Sequence, residues 1–290
     1  MQRIGFIGVG AMGAPIAERL ARAGFPLTVC DANPAAVAAF AQSGARLAGR
    51  PADCAREDVV FVLVATDDQV DVAVRGADGL LAAIDPAQAP IVVVMSTVLP
   101  ETVRALAAPL AARGARLLDA PVSGGIDGAR RGTLSVLVGG AAADLAEVRP
   151  ALDVVGDQLS HCGALGAGMT TKILNNLIGV ANWLLMAEAM ALGKRIGMDL
   201  DALAAAMDRG SGRNIATRNW PSREALYATY STNGPLLASN NDICRKDLSL
   251  VLELAARAGI GLPVTAGLAS AIDRIPWTEL QPVWSEIGRK

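Results

Sequence analysis

Two stretches of this chain, Val59 to Ala65 (VVFVLVA) and Ile91 to Met95 (IVVVM), are apolar at every position. A strand with one wet face alternates apolar and polar residues. A strand that is apolar at both parities needs cover on both faces, which is the situation inside a parallel sheet flanked by helices. Ile4 to Ile7, Leu27 to Cys30, Leu117-Leu118 and Leu134 to Val138 read as further strands, and helical patterns separate them, the first running from Met12 to Ala23 and stopping at Gly24. Strands alternating with helices are βαβ units. The predicted fold class is therefore α/β, with an N-terminal doubly wound sheet of the Rossmann kind. Apolar residues are 52% of the chain and charged residues 19%, which is enough to fill such a core and excludes a disordered chain. With aromatics at only 3%, Ala, Val, Leu and Ile have to do most of the filling.

The pattern changes at the Gly/Ala-rich stretch from Gly163 to Gly168. Beyond it no continuous β-branched run occurs. A long helix is predicted from about Met169 to Ile196, stopping at Gly197, followed by helices at about Leu200–Asp208, Ile243–Ala258 and Val264–Arg274, with Pro263 suited to a helix start. The expected organisation is residues 1–163 as an α/β domain and 164–290 as an all-α domain. The uncharged stretch Ile173 to Ala187 contains Asn175, Asn176 and Asn182 and falls short of a membrane span of about 18 apolar residues. A net charge of −2 gives no reason to expect nucleic acid or an anionic membrane as partner. The single histidine, His161, excludes a multi-histidine metal site, so no metal is expected. No leader-like segment precedes the first strand, and Cys30, Cys54, Cys162 and Cys244 are scattered without a CxxC pair. They read as reduced thiols of a cytoplasmic protein.

Gly8-Val9-Gly10-Ala11-Met12-Gly13 matches G-x-G-x-x-G, and it follows a strand and opens a helix. That context gives the pattern its meaning. Gly8 allows the tight turn, Gly10 leaves room for a pyrophosphate and Gly13 lets the helix pack on the sheet, while the helix N-terminus offers unpaired N–H groups to phosphate oxygens. Asp31 ends the second strand, where its carboxylate suits a ribose diol and opposes a 2′-phosphate. The cofactor expected is NAD. The ends of the two apolar strands face the same crevice, which brings in Val64, Ala65 and Thr66 and also Ser96 and Thr97. Ser96 or Thr97 alternatively caps the helix starting near Pro100.

Lys172 and Asn176 stand four residues apart and share a helix face among apolar neighbours Ile173, Leu174, Leu177 and Ile178. A lysine in such surroundings gives up its proton more readily, the tuning a general base needs. A lysine that reaches solvent or pairs with a carboxylate explains the pattern equally well. Ser123-Gly124-Gly125 follows a strand and breaks it; its hydroxyl and backbone N–H groups suit a carboxylate, and a plain surface turn is the alternative.

These segments together resemble the β-hydroxyacid dehydrogenase family, which includes 3-hydroxyisobutyrate dehydrogenases and tartronate semialdehyde reductases. The resemblance runs through nearly the whole chain: GFIGVGAMGAPIA at 5–17, DAPVSGG at 119–125, GTLSVLVGG at 132–140, GAGMTTKILNN at 166–176 and KDL at 246–248. It implies an oxidoreductase that moves a hydride between NAD and a small β-hydroxy acid, with Lys172 as catalytic acid and base. It implies that Asn176 binds substrate and orients that lysine, and that Ser123, Gly124 and Gly125 hold the substrate carboxylate. It places Lys246 near the nicotinamide with Asp247 in support, and Thr97 against the cofactor. It implies that residues 1–163 bind NAD and that residues 164–290 serve substrate binding and oligomerisation, and homodimers or homotetramers are common in the family.

The chain departs from the family pattern before KDL, where Ser239 to Arg245 replaces aromatic and apolar residues. Asp242 there is read as a cap for the helix carrying Lys246, and Asn240 or Asn241 facing the pocket would suit a substrate richer in hydroxyls, such as glycerate or threonate. An imine reductase on the same scaffold usually has another residue at the position of Lys172. A non-catalytic dinucleotide-binding module would not need Lys172, Asn176 and Ser123 together. A decarboxylating sugar-phosphate dehydrogenase has a larger helical domain than residues 164–290 allow.

Overall fold

A computed structural model describes residues 1–288. The chain divides into two compact units, Met1–Lys172 and Ile173–Lys290. In chain order the first unit contains β1 (Ile4–Ile7), α1 (Gly13–Arg22), β2 (Leu27–Cys30), α2 (Pro34–Ala38), β3 (Arg46–Ala48), β4 (Val59–Val62), α3 (Asp67–Arg75) and β5 (Ile91–Val94). It continues through α4 (Pro100–Ala111), β6 (Arg116–Asp119), β7 (Val122–Ser123), α5 (Gly125–Arg131), β8 (Ser135–Gly139), α6 (Ala142–Val155) and β9 (Gln158–Gly163) to the start of α7 (Ala167–Arg195). The strands form one sheet in the order β3-β2-β1-β4-β5-β6-β8-β7, with β9 beside β8. β3, β2, β1, β4, β5 and β6 are mutually parallel, and Ile4 lies beside Leu27 on one side and Val59 on the other. β8 runs antiparallel to β6.

The apolar runs are explained by which residue faces which helix layer. Val59 and Phe61 join Ile4, Phe6, Ile91 and Val93 in a core completed by Ile16 and Leu20 of α1 and Val148 and Leu152 of α6. The intervening Val60 and Val62 join Ile7, Val92 and Val94 in a second core with Val70 and Val74 of α3 and Val103 and Leu106 of α4. Each strand thus feeds two cores, so neither parity carries a polar residue. The helices start and stop where local chemistry directs: Asn33 accepts the Ala35 N–H at the start of α2, and Gly24 and Gly197 take φ of +90° and +87° after α1 and α7.

The second unit holds the rest of α7 with α8 (Leu200–Arg209), α9 (Ile215–Arg218), α10 (Trp220–Thr232), α11 (Gly234–Arg257), α12 (Pro263–Arg274) and α13 (Trp277–Gly288). Its core contains Met186, Met190, Leu237 and Ile287 around a group of aromatic rings. Trp183 stacks on Tyr227 at 4.3 Å, and Trp284 meets both rings edge-on at 5.3 Å. Every tryptophan and tyrosine of the chain lies in this unit's sequence, and all four phenylalanines lie in the first.

The two compact units divide inside α7, between Lys172 and Ile173, and the first turn of α7 is tied to β6 within the first unit. Other expectations are corrected. α11 begins at Gly234, where Asn233 accepts the Leu236 N–H, so Asp242 lies mid-helix and does not cap it; its carboxylate accepts from Arg245 at 2.7 Å. Neither Ser96 nor Thr97 caps α4, whose N-cap is Leu99; Asp67 accepts the Leu99 N–H instead, at 3.0 Å. α7 is not buried all round, since Leu174 and Ile178 are 49% and 60% exposed. By length and composition α7 does reach the threshold for crossing a membrane, with mean hydropathy 1.3 over its best window. β3, β9, α10 and α13 were not foreseen. Pro282 inside α13 masked its pattern, while burial of Trp284 and Ile287 holds that helix in place.

Candidate active site

In the first unit, β1 leads into the glycine loop and the loop into α1. Gly8 sits at φ +97°, and a Cβ there would lie 2.2 Å from the Leu63 carbonyl oxygen. A Cβ on Gly13 would lie 1.9 Å from the Gly8 oxygen. Those two glycines are demanded by the protein's own packing. Gly10 is different, because a Cβ there would meet nothing within 4 Å. It is exposed and borders open space ahead of the first turn of α1, whose N-cap Met12 makes no side-chain cap bond. Unpaired N–H groups and a bare backbone are what a pyrophosphate requires. Val9 is buried beneath the loop, while Ala11 is exposed.

Asp31 at the end of β2 accepts the Val9 N–H and the Asn33 N–H, both at 2.8 Å. It therefore fixes the shape of the glycine loop as well as the turn into α2. A carboxylate oxygen accepts more than one hydrogen bond, so Asp31 keeps capacity for a ribose hydroxyl. It lines a cavity of about 380 Å³ with Ala32, Pro34, Val37, Leu47 and Gly49. An apolar wall with one acceptor at its edge fits the adenosine end of a dinucleotide, and the residues present fit NAD.

At the ends of β4 and β5, Ser96 is 1% exposed and its hydroxyl accepts the Val64 N–H at 2.8 Å. Ser96 is thus a brace between strand ends. The half-buried Val64 and Thr97 and the exposed Ala65 are left at the crest of the sheet. Ser123 is half-buried, while Gly124 and Gly125 are exposed with φ of +137° and +69°. His161 in β9 meets the Gly140 carbonyl, just past the end of β8, at 2.9 Å.

Asp119, the first residue of DAPVSGG, organises this end of the unit. It is fully buried, and its two oxygens accept the Gly166 and Met169 N–H groups, each at 2.7 Å. Burial pushes its carboxyl above the usual carboxylate range, and the two backbone N–H groups pull it back. Gly139 and Gly168 make room for it, since a Cβ on either would lie 2.3 or 2.8 Å from an Asp119 oxygen. One carboxylate thus ties the strand that leads into Ser123-Gly124-Gly125 to the first turn of α7. Lys172 follows in the next turn and is 8% exposed.

In the second unit, Asn176 lies one turn beyond Lys172 along α7. Its Nδ2 donates to Asp247 Oδ2 at 2.8 Å, and Lys246 Nζ lies 3.6 Å from the other Asp247 oxygen. Asp247 is buried and Lys246 is exposed. Asp247 therefore fixes the Asn176 amide at least as directly as it supports Lys246. Asn176 and Asp247 line a cavity of about 220 Å³ that also takes in Asn182, Trp183, Arg223 and Asn240. Asn240 faces this cavity; Asn241 is not part of its lining and is 2% exposed. Arg223 and Asn182 were not singled out from the sequence, because an arginine in an unforeseen helix has no local signature.

Residues 3–173 match the family described as the NAD binding domain of 6-phosphogluconate dehydrogenase. Residues 166–276 match that described as NAD-binding of NADP-dependent 3-hydroxyisobutyrate dehydrogenase. The chain is 38% identical to the 3-hydroxyisobutyrate dehydrogenase of Pseudomonas aeruginosa over 92% of its own length and 89% of that protein. The chain belongs to the β-hydroxyacid dehydrogenase family. A second relative in the same organism, an NAD-dependent L-serine dehydrogenase, is 37% identical over 95% of this chain and 92% of its own. The solved structure of Mycobacterium tuberculosis 3-hydroxyisobutyrate dehydrogenase with L-serine superposes with a TM-score of 0.79 at 29% identity, covering 99% of this chain and 98% of that one. As a β-hydroxyacid dehydrogenase the chain is an oxidoreductase that uses NAD and acts on a small hydroxy acid.

Proposed function

We propose that the chain oxidises a short β-hydroxy acid, 3-hydroxyisobutyrate or a more hydroxylated acid such as glycerate or threonate, with Lys172 as general acid and base. The observation that carries this reading is the burial of Lys172 at 8% exposure, in the helix that Asp119 ties to the loop Ser123-Gly124-Gly125. When bound, NAD supplies the acceptor for the hydride that leaves the hydroxyl-bearing carbon. The glycine loop Gly8–Gly13, Asp31, Val64, Ala65, Thr97 and Lys246 hold the cofactor. Ser123, Gly124 and Gly125 take the substrate carboxylate, and Asn176, oriented by Asp247, fixes the substrate hydroxyl. Lys172 Nζ receives the hydroxyl proton as the C–O bond becomes a carbonyl, and returns it in the reverse direction. Shielding from bulk water makes the substrate, not solvent, the partner in that exchange. Positioned proton transfer is worth about 10²–10⁴-fold in rate. Lys172→Ala is expected to lower kcat at least 100-fold while the Kd for NAD, read by fluorescence titration, stays within about twofold of wild type. Near-normal turnover in that variant rejects the assignment.

The same reading makes the enzyme a homodimer or homotetramer. Leu174, Ile178, Leu185, Leu192 and Ile196 are 49%, 60%, 59%, 63% and 69% exposed. At 100° per residue all five fall within about 40° of arc, a continuous apolar stripe along α7 and its C-terminal end. A second copy of the chain is the proposed cover, with the stripes of two protomers packed together. Light scattering is expected to give a dimer or larger for wild type and a monomer for Leu185→Glu/Leu192→Glu. A wild-type monomer contradicts it. The cytoplasm is the proposed location, supported by the four free cysteines, three of them buried.

A further inference from the structure

The cavity in the second unit is rich in hydrogen-bond donors that lack acceptors. Arg223 Nε is buried with no partner, and so is Trp183 Nε1. Among the described residues, no carboxylate lies within ion-pair distance of Arg223, and the Asn182 amide lines the same cavity. Arginine and the indole N–H only donate, so the missing partner has to be an acceptor. Because one of the donors is a permanent cation, that acceptor is best satisfied by an anion. The acidic neighbour, Asp247, is already engaged by Asn176 and Lys246. Buried donors without partners are costly, and native structures retain few of them unless a ligand completes the set.

The rest of the lining narrows the ligand. Asn240 contributes an amide loosely held by Tyr230 at 3.4 Å and Cys244 at 3.8 Å, and Asn176 stands at the end nearest Lys172 along α7. One guanidinium among neutral amides and a carboxylate matches a single negative charge better than the double charge of a phosphate. The volume of about 220 Å³ exceeds the roughly 150 Å³ that accommodates a benzene ring. It has room for a short acidic arm on a substrate whose hydroxyl Asn176, part of the same lining, holds.

We infer that this cavity recognises a second carboxylate on the substrate, remote from the hydroxyl, and that Arg223 selects hydroxy diacids over hydroxy monoacids. This rests on the reading of the chain as a β-hydroxy acid dehydrogenase. Arg223 forms the ion pair, and Asn182 and Asn240 hydrogen-bond the same carboxylate.

The test uses three acids with one reacting group. 3-Hydroxyisobutyrate carries a methyl side arm, 2-(hydroxymethyl)pentanoate a propyl arm and 2-(hydroxymethyl)glutarate a propionate arm. Wild type is expected to favour the diacid in kcat/KM. Arg223→Met is expected to raise KM for the diacid about 10–100-fold, the size of a lost charge-assisted hydrogen bond, and to change KM for the two monoacids less than threefold. Quenching of tryptophan fluorescence by glutarate, without cofactor, is expected in wild type and lost in Arg223→Met. An equal loss for all three acids would show that Arg223 binds the carboxylate common to them and would overturn the inference. So would an unchanged preference in the variant. Failure of wild type to oxidise any of the three overturns the underlying reading instead.

Discussion

Removing the Asp119 carboxylate should release the first turn of α7 from β6, and with it the proposed general base Lys172 from the proposed carboxylate loop, and the structure sets the size of the effect. In Asp119→Ala the Gly166 and Met169 N–H groups, now bonded at 2.7 Å, lose their acceptors inside a fully buried site. Each orphaned N–H costs about 1–3 kcal/mol, so the pair amounts to about 2–6 kcal/mol. Part is recovered, because the buried carboxylate is itself poorly solvated, as its raised pKa shows. A net loss of about 2–4 kcal/mol remains. For a unit of this size each kcal/mol moves Tm by about 2–4 °C, so calorimetry should show a fall of about 4–16 °C. Lys172 sits in the turn after the released N–H groups, and an error of about 1 Å in a reacting group can cost about 100-fold. kcat should therefore drop at least tenfold beyond any loss of folded protein, while the Kd for NAD, set by the glycine loop and Asp31, holds. Asp119→Asn keeps one acceptor and should fall between the variant and wild type. An Asp119→Ala protein with Tm within 1 °C of wild type and unaltered kcat would refute the reasoning.

Two further perturbations address other parts of the molecule. Asp247→Ala deprives the Asn176 amide of its 2.8 Å acceptor; KM for the hydroxy acid is expected to rise about tenfold with NAD affinity unaffected, by steady-state kinetics and titration, and an unchanged KM counts against Asn176 as a substrate ligand. Burial pushes the Cys30 and Cys244 thiols up to about 11 and about 12. At pH 8 their thiolate fractions are then about 10⁻³ and 10⁻⁴, so a thiol reagent should titrate Cys162 first and the others only on unfolding. Because these folded values are raised, the stability they contribute is present below the ordinary thiol pKa of about 8.5 and is lost as pH climbs toward 11–12, which a Tm series between pH 7 and 11 would detect.

The glycine loop, Asp31, the two apolar strands and the start and stop of α7 were readable because each rests on chemistry within a few residues. Gly8 needs its φ of +97°, and Val59 to Val62 need apolar neighbours at both parities, whatever the rest of the chain does. Lys172 and Asn176 were placed on one helix face for the same reason. Asp119 was harder to read, because its partners lie 47 and 50 residues away. α10 and α13 were missed because their helical state comes from tertiary packing: Trp220, Tyr227 and Trp284 fill one aromatic core that no local window contains.

The sequence by itself determined the class of fold, the glycine loop between β1 and α1 and the placing of Lys172 and Asn176 on one face of α7, because hydrophobic period and glycine geometry act over a few residues. Only the tertiary structure decided that Asp119 anchors α7, that Asp247 holds Asn176, that Asp242 lies mid-helix and that Arg223 Nε, in the cavity of the second unit, finds no partner among the described residues. Hydrogen bonds and burial between distant segments exist only once the chain has closed, and no spacing along the chain encodes which buried donor will be left unsatisfied.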